Sequence, residues 1–199
     1  LKFYTDIMGV NAAIVGMIMM IARFVDAFTD VTMGRICDRS KPGKNGKYKP
    51  WILRMCGPVA IVSFLMYQSS LASMPMTFKV ISLFITYILW GSVFYTSVNI
   101  PYGSMASAIS PEPDDRQSLS TFRSMGGLCA GILIMVLVPL VVYRTLEDGT
   151  VVMDGGRFTM IAGVFSLLAV GAYLLCYTLT TESVVPKVDK KAFDDNSVG

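Results

Sequence analysis

The sequence predicts an all-α membrane protein, a bundle of five transmembrane helices, and three observations carry the prediction. Hydrophobic residues make up 53% of the 199 and charged residues only 16%, with a mean hydropathy of +0.57, on the apolar side of soluble globular domains. Five apolar runs, residues 11–36, 50–71, 78–109, 119–143 and 158–180, each meet or exceed the roughly 20 residues a spanning helix requires. Basic residues crowd the connection after the first run, as they do on the cytoplasmic side of a membrane.

In chain order, residues 1–9 read as the end of a preceding helix, because the chain opens on Leu1 and no signal-peptide pattern precedes the first run. After the first span come Arg39, Lys41, Lys44, Lys47 and Lys49, which put the 38–49 loop in the cytoplasm. Alternation then places 72–77 outside, 110–118 inside, 144–157 outside and the tail from Thr181 inside. Lys187, Lys190 and Lys191 agree with the last assignment. Glu112, Asp114, Asp115 and Arg116 weigh little on the 110–118 side, because acidic residues contribute little to the rule. Residues 1–180 are thus expected to form one transmembrane unit, and 181–199 the start of a central cytoplasmic loop with more chain beyond it. In the third span Pro101 frees a backbone carbonyl and bends the helix. Gly126, Gly127, Ala130 and Gly131 in the fourth permit close helix approach, an ordinary packing device.

Charge inside the spans is where function is expected. Arg23, Asp26 and Asp30 fall within about 60° of one another on one helix face, and such a stripe is costly inside a bilayer. Two readings compete. Arg23 can neutralise Asp26 one turn away and serve packing alone, which leaves Asp30 without a partner. Alternatively, the two carboxylates hold a monovalent cation, or share a proton because like charges raise one pKa. Asn99, two residues before Pro101, reads as interhelical glue or as a ligand contact. Arg123 has no acidic residue within a turn, so its partner is Asp26, Asp30 or a substrate, whose hydroxyls or carboxylate a guanidinium can fork onto. Tyr87, Trp90, Tyr95 and Tyr102 read as core or lipid-facing aromatics, with sugar stacking as the alternative.

Composition also excludes classes. There is no histidine, so His triads, His-containing zinc sites and imidazole relays are absent from this polypeptide. The four cysteines form no C-x-x-C pair and read as small buried hydrophobes. No cofactor is implied beyond a coupling ion, and no metal beyond Na+ at Asp26 and Asp30. The net charge of +3 sits in loops beside spans, so topology explains it and nucleic acid is not a partner.

Residues 23–53, RFVDAFTDVTMGRICDRSKPGKNGKYKPWIL, closely resemble the helix 2 to helix 3 signature of the glycoside-pentoside-hexuronide:cation symporters, the melibiose-permease-like branch of the major facilitator superfamily. Gly34, Asp38 and Arg39 match the superfamily's G-x-x-x-D-R loop motif, and residues 87–105, YILWGSVFYTSVNIPYGSM, match the family's helix 4. The resemblance implies the N-terminal bundle of a twelve-helix transporter, here helices 2 to 6 plus the end of helix 1, whose partner is a second six-helix bundle of the same protein. It further implies that Asp26 and Asp30, with Thr96 and Asn99 beside them, bind the cation. Arg123 would contact the sugar, with Asn99, Arg23 and Tyr95 around it, and Gly34, Asp38 and Arg39 would form a gating motif. The implied function is symport of a glycoside-, pentoside- or hexuronide-type sugar with H+ or Na+ by alternating access, in the cytoplasmic membrane of a bacterium and not by an enzyme.

Three departures qualify the transfer. Asn99 stands where melibiose permease has Asp, which removes a charge and favours proton over sodium. Gly103 replaces a Trp near the sugar, and Val31 replaces a proline after the second carboxylate. A non-transporting sensor or scaffold with the same bundle is the alternative, but it would not need both Asp26 and Asp30. A membrane-embedded enzyme would need a nucleophile, base or metal cluster at one membrane face, and the absence of His and of a concentrated acidic motif argues against it.

Overall fold

The computed structural model describes residues 2–43 and 46–183. Lys44, Lys187, Lys190, Lys191 and the rest of the tail from 184 lie outside the described residues. Among the described residues five helices are long and apolar enough to cross a membrane, the all-α membrane fold expected from the apolar runs. They are α1 (Ala12–Arg39), α2 (Lys49–Met66, continued by a 3-10 turn at Ser69–Ser73), α3 (Met76–Ile109), α4 (Pro113–Val142) and α5 (Gly155–Leu179). A short π-wound segment, Phe3–Ile7, precedes α1.

Local chemistry sets the helix ends. Asn11 caps α1 by accepting from the Ala13 amide at 2.8 Å, and Asp154 caps α5 by accepting from Arg157 N at 3.1 Å. Pro113 opens α4, where its missing N–H costs nothing, and Asp114 and Asp115 in the first turn complement the positive end of the helix dipole. Between α4 and α5 the chain makes an antiparallel hairpin of β1 (Tyr143–Thr145) and β2 (Val151–Met153). Its turn uses Gly149 at φ +81°. Asp148 accepts from the Thr150 hydroxyl and amide, which holds its carboxyl below the usual range. The apolar runs gave no sign of strands here, because three residues are too few to display a period of two.

α3 is the central element, packed along both α1 and α2, while α2 also packs along α5 and α4 lies against α5. Two cores hold the bundle, one at each end. Val15 and Ile18 of α1 meet Met66, Leu83 and the N-terminal Phe3, Tyr4, Met8 and Val10 in the first. Met33 and Cys37 meet Tyr48, Ile52, Met105 and Ala108 in the second. The stretch of α1 and α3 between these cores carries Asp26, Asp30, Ser92 and Thr96, so the polar residues sit in mid-span by construction. Cys37 and Cys56 are buried as expected, whereas Cys129 is exposed on α4.

The second core closes on a carboxylate. The α2 N-terminus has no side-chain cap of its own, and Glu182, just past α5, supplies one. It accepts from the Lys47, Tyr48 and Lys49 amides at 2.6, 2.9 and 2.8 Å. Lys49 Nζ donates back to Thr180 O at 2.5 Å and stands over the Tyr177 ring. Burial, with Asp38, Cys37 and Glu182 adding to it, pushes the Tyr48 phenol above its ordinary pKa.

Candidate ion and substrate site

α3 is one continuous span but not one continuous α-helix. Met76–Ile88 and Thr96–Ile109 are α-helical, and Leu89–Tyr95 between them is π-wound, closing on a Thr96 amide that donates to Gly91 O. Segments of this kind widen the helix and re-aim side chains, which is why they gather at functional positions. The widened turn faces α1. Ser92 Oγ donates to Asp26 Oδ1 at 2.5 Å, and Thr96 Oγ1 donates to Asp30 Oδ1 at 3.0 Å. Thr96 Oγ1 also lies 3.2 Å from Gly91 O. A Cβ on Gly91 would sit 4.0 Å from Asp26 Oδ1, so the α3 backbone itself comes close to the carboxylate.

Arg23 is the third member of the stripe and holds it loosely. Its Nη1 is 3.6 Å from Asp26 Oδ2, and its side chain is 80% exposed against 25% for Asp26. Among the described residues this is the single ion pair. The pair engages Asp26 alone, while Asp30 takes its partner from Thr96.

A second cluster lies one turn further along α3. Arg123, expected to pair with Asp26, Asp30 or a substrate, donates instead from Nη2 to Asn99 Oδ1 at 2.6 Å, and its guanidinium covers the Tyr102 ring at 4.9 Å. Asn99 is thus the partner of Arg123. Among the described residues its side-chain bond runs to the α4 side, with none to Asp26 or Asp30. A Cβ on Gly103 would fall 3.0 Å from Arg123 Nη1. Glycine there lets the guanidinium lie against α3, where the sequence suggested only a lost stacking surface.

These groups open onto a cleft of about 530 Å³, bordered by Tyr95, Asn99, Tyr102, Phe122, Arg123 and Tyr173, within the range of small-molecule sites. Tyr95 contributes one face and stacks its ring on Trp90 at 5.5 Å. Arg23 does not border this cleft.

Gly34, Asp38 and Arg39 lie at the far end of α1. The Asp38 and Arg39 side chains are exposed there, and the Asp38 main-chain oxygen, not its carboxylate, receives Lys47 Nζ at 3.0 Å. Sequence reasoning missed Ser92, Tyr173 and Glu182. For Ser92 the available signal was its spacing of four from Thr96, which matches that of Asp26 and Asp30. For Tyr173 and Glu182 there was none, since their partners are remote in the chain.

The donor set is all oxygen: two carboxylates, two hydroxyls and a backbone carbonyl. Hard cations are held by such groups. Among the described residues no group of three or more His, Cys, Asp or Glu side chains is placed to hold a metal ion.

Comparison with known proteins places this arrangement in a family. Residues 1–198 match the family model described as MFS/sugar transport protein. The chain is 34% identical over 191 residues to the isoprimeverose transporter of Lactiplantibacillus pentosus, covering 96% of this chain and 38% of that one. It is 35% identical over 186 residues to the inner membrane symporter YicJ of Escherichia coli (strain K12), covering 92% and 38%. With the glucuronide carrier protein homolog of the same organism it shares 32% over 185 residues, covering 93% and 39%. The chain therefore spans well under half the length of these curated relatives, and it is a multi-pass plasma membrane protein. A family model matching nearly every residue and relatives above 30% identity over nine-tenths of the chain lead to one conclusion: the chain belongs to the MFS/sugar transport protein family.

Proposed function

We propose that this chain is the ion- and substrate-binding portion of a secondary transporter that carries a sugar or glycoside together with a monovalent cation, H+ or Na+, by alternating access. One observation carries the reading: the two clusters share a helix. Thr96 holds Asp30, and Asn99, three residues on, holds Arg123. Three residues of one helix separate the two clusters, so a displacement of α3 would move both. Two carboxylates against one loosely paired arginine leave about one negative charge, which suits a monovalent ion. Binding it removes the charge that would otherwise oppose desolvation, so the site closes at least cost when ion and sugar are both present.

The second six-helix bundle would complete the cavity and rock against this one about the midplane site. Loop 38–49 and the chain from Thr181 would face the cytoplasm, with Asp38 and Arg39 of the G-x-x-x-D-R motif steadying the inner gate. The relatives are named as transporters, which supports transport over catalysis.

Arg123 also supports a substrate class. Among the described residues its partners are a neutral amide and an aromatic face, and no carboxylate here neutralises it. An acidic sugar, a hexuronide or sulfonated glycoside, would supply the missing anion through a bidentate contact.

Uptake of acidic and neutral glycosides into vesicles carrying the full-length protein, at varied pH and Na+, tests the reading. Asp30→Asn is expected to abolish the ion dependence. Uptake of every glycoside unaffected by that substitution would overturn it.

A further inference from the structure

Two hydroxyls meet two carboxylates in matching register. Ser92 and Thr96 are spaced as Asp26 and Asp30 are, and 66 residues separate the partners in both pairs, as parallel α1 and α3 require. Ser92 is only 1% exposed and Thr96 5%. A hydroxyl in a membrane helix usually satisfies itself on the carbonyl one turn back. The neighbouring residues of α3 do so: Thr86 donates to Ser82 O at 2.7 Å and Ser97 to Val93 O at 2.6 Å. Ser92 forgoes that bond and reaches across to the Asp26 carboxylate.

We propose that Ser92 is a direct oxygen ligand of the coupling ion, and that the ion this site is built to hold is Na+. The proposal rests on the reading of Asp26 and Asp30 as the ion-binding carboxylates. A proton needs one carboxylate oxygen and no hydroxyl. An alkali cation needs several hard oxygens in place of its water shell. The carboxylates of Asp26 and Asp30, the hydroxyls of Ser92 and Thr96 and the Gly91 carbonyl supply them within one turn of α3. A hydroxyl can exchange roles without covalent change: with no ion it donates its hydrogen to the carboxylate, and with an ion it turns that hydrogen away and offers a lone pair. Asn99, whose neutrality argued against sodium, is engaged by Arg123 one turn further along α3 and is not counted in this set.

The test is direct binding of ²²Na+ to the purified full-length protein, alongside the Na+-induced rise in its melting temperature. Neither readout requires transport. Ser92→Ala and Ser92→Cys are expected to lower Na+ affinity on the order of tenfold or more, as removal of an ion-site contact does, with Cys failing despite filling the space. Ser92→Thr, which keeps the hydroxyl, should bind Na+ within about twofold of the unaltered protein, with each variant's Na+-induced rise read against its own melting temperature without Na+. Undiminished Na+ binding by the Cys variant, or an unaltered protein that binds no Na+, would overturn the proposal. Equal loss in Thr and Cys would do the same, because packing and not ligation would then be responsible. Asp30→Asn separates the two levels of argument. If it retains full Na+ binding, the assignment of the carboxylates fails as well; if it alone abolishes binding, only the role of Ser92 falls.

Discussion

Arg123 is the residue whose meaning depends most on its neighbour. A guanidinium bonded to an amide keeps its full charge, whereas one bonded to a carboxylate is neutralised in place, and at this position the neighbour is Asn99 at 2.6 Å. Converting that amide to an acid, Asn99→Asp, should close an ion pair in the cleft and reverse the preference between anionic and neutral sugars. Competition against a labelled glycoside by a hexuronide and by its uncharged parent sugar measures this in the full-length protein. We expect the hexuronide to lose on the order of tenfold in affinity, about 1.4 kcal/mol, while the neutral sugar holds or gains. An unchanged ratio would mean that Arg123 does not meet the acidic group. Gly103 belongs to the same argument, because with a Cβ 3.0 Å from Nη1 the guanidinium would have to shift away from α3. Both residues stand out in the sequence as departures from a familiar pattern, but only the geometry tells what each departure does.

At the scale of the element, the site depends on the extra residue wound into α3. An α-helix turns about 100° per residue and a π-wound turn fits an extra residue into the same rotation, so deletion of Val93 would let Leu89–Tyr95 rewind as α-helix while Met105 and Ala108 keep their places in the second core. Ser92 and Thr96 would then stand three residues apart and no longer match the four-residue spacing of Asp26 and Asp30. The expected result is loss of Na+-dependent uptake with the protein still inserted and melting within a few degrees of the unaltered chain. Retained coupling would show that the winding is incidental. This element also explains what the sequence could and could not convey. Span number and approximate position follow from run length, since about 20 consecutive apolar residues have few other uses. Asp26 and Asp30 stand out because a charge in such a run is costly. The π-wound turn leaves no hydropathy signature, because it changes the helical phase without changing composition. Ser92 was hidden for the same reason: a serine in a membrane helix commonly bonds its own backbone, and only the altered phase sends this one across to α1.

At the scale of the whole molecule, the question is what makes five helices one body, given that large apolar side chains such as Phe28, Met135 and Leu179 face outward at 76, 79 and 81% exposure. The answer at the α2 end is Glu182, which joins chain segments more than 130 residues apart through three backbone amides. Neither partner is recognisable alone. Residues 46–49 look like part of a basic loop, and Glu182 looks like the first residue of a polar tail. Gly46 leaves room for the clasp: it adopts φ +100°, and a Cβ there would fall 2.5 to 2.7 Å from the Glu182 carboxyl atoms. Glu182→Ala would orphan the three amides of a half-buried helix start. Hydrogen bonds to a charged group contribute about 1.5–3 kcal/mol each in favourable settings, but water replaces part of that here. We expect a net loss of about 2–3 kcal/mol, seen as a lower midpoint in denaturant unfolding of the full-length protein in detergent. Gly46→Ala should lower it comparably by expelling the same carboxylate, and the double variant should fall little further, because both substitutions break one contact. Additive losses would mean that the two residues act separately. If the single variants unfold like the unaltered protein, the end of α5 is not what ties the loop before α2 to the bundle.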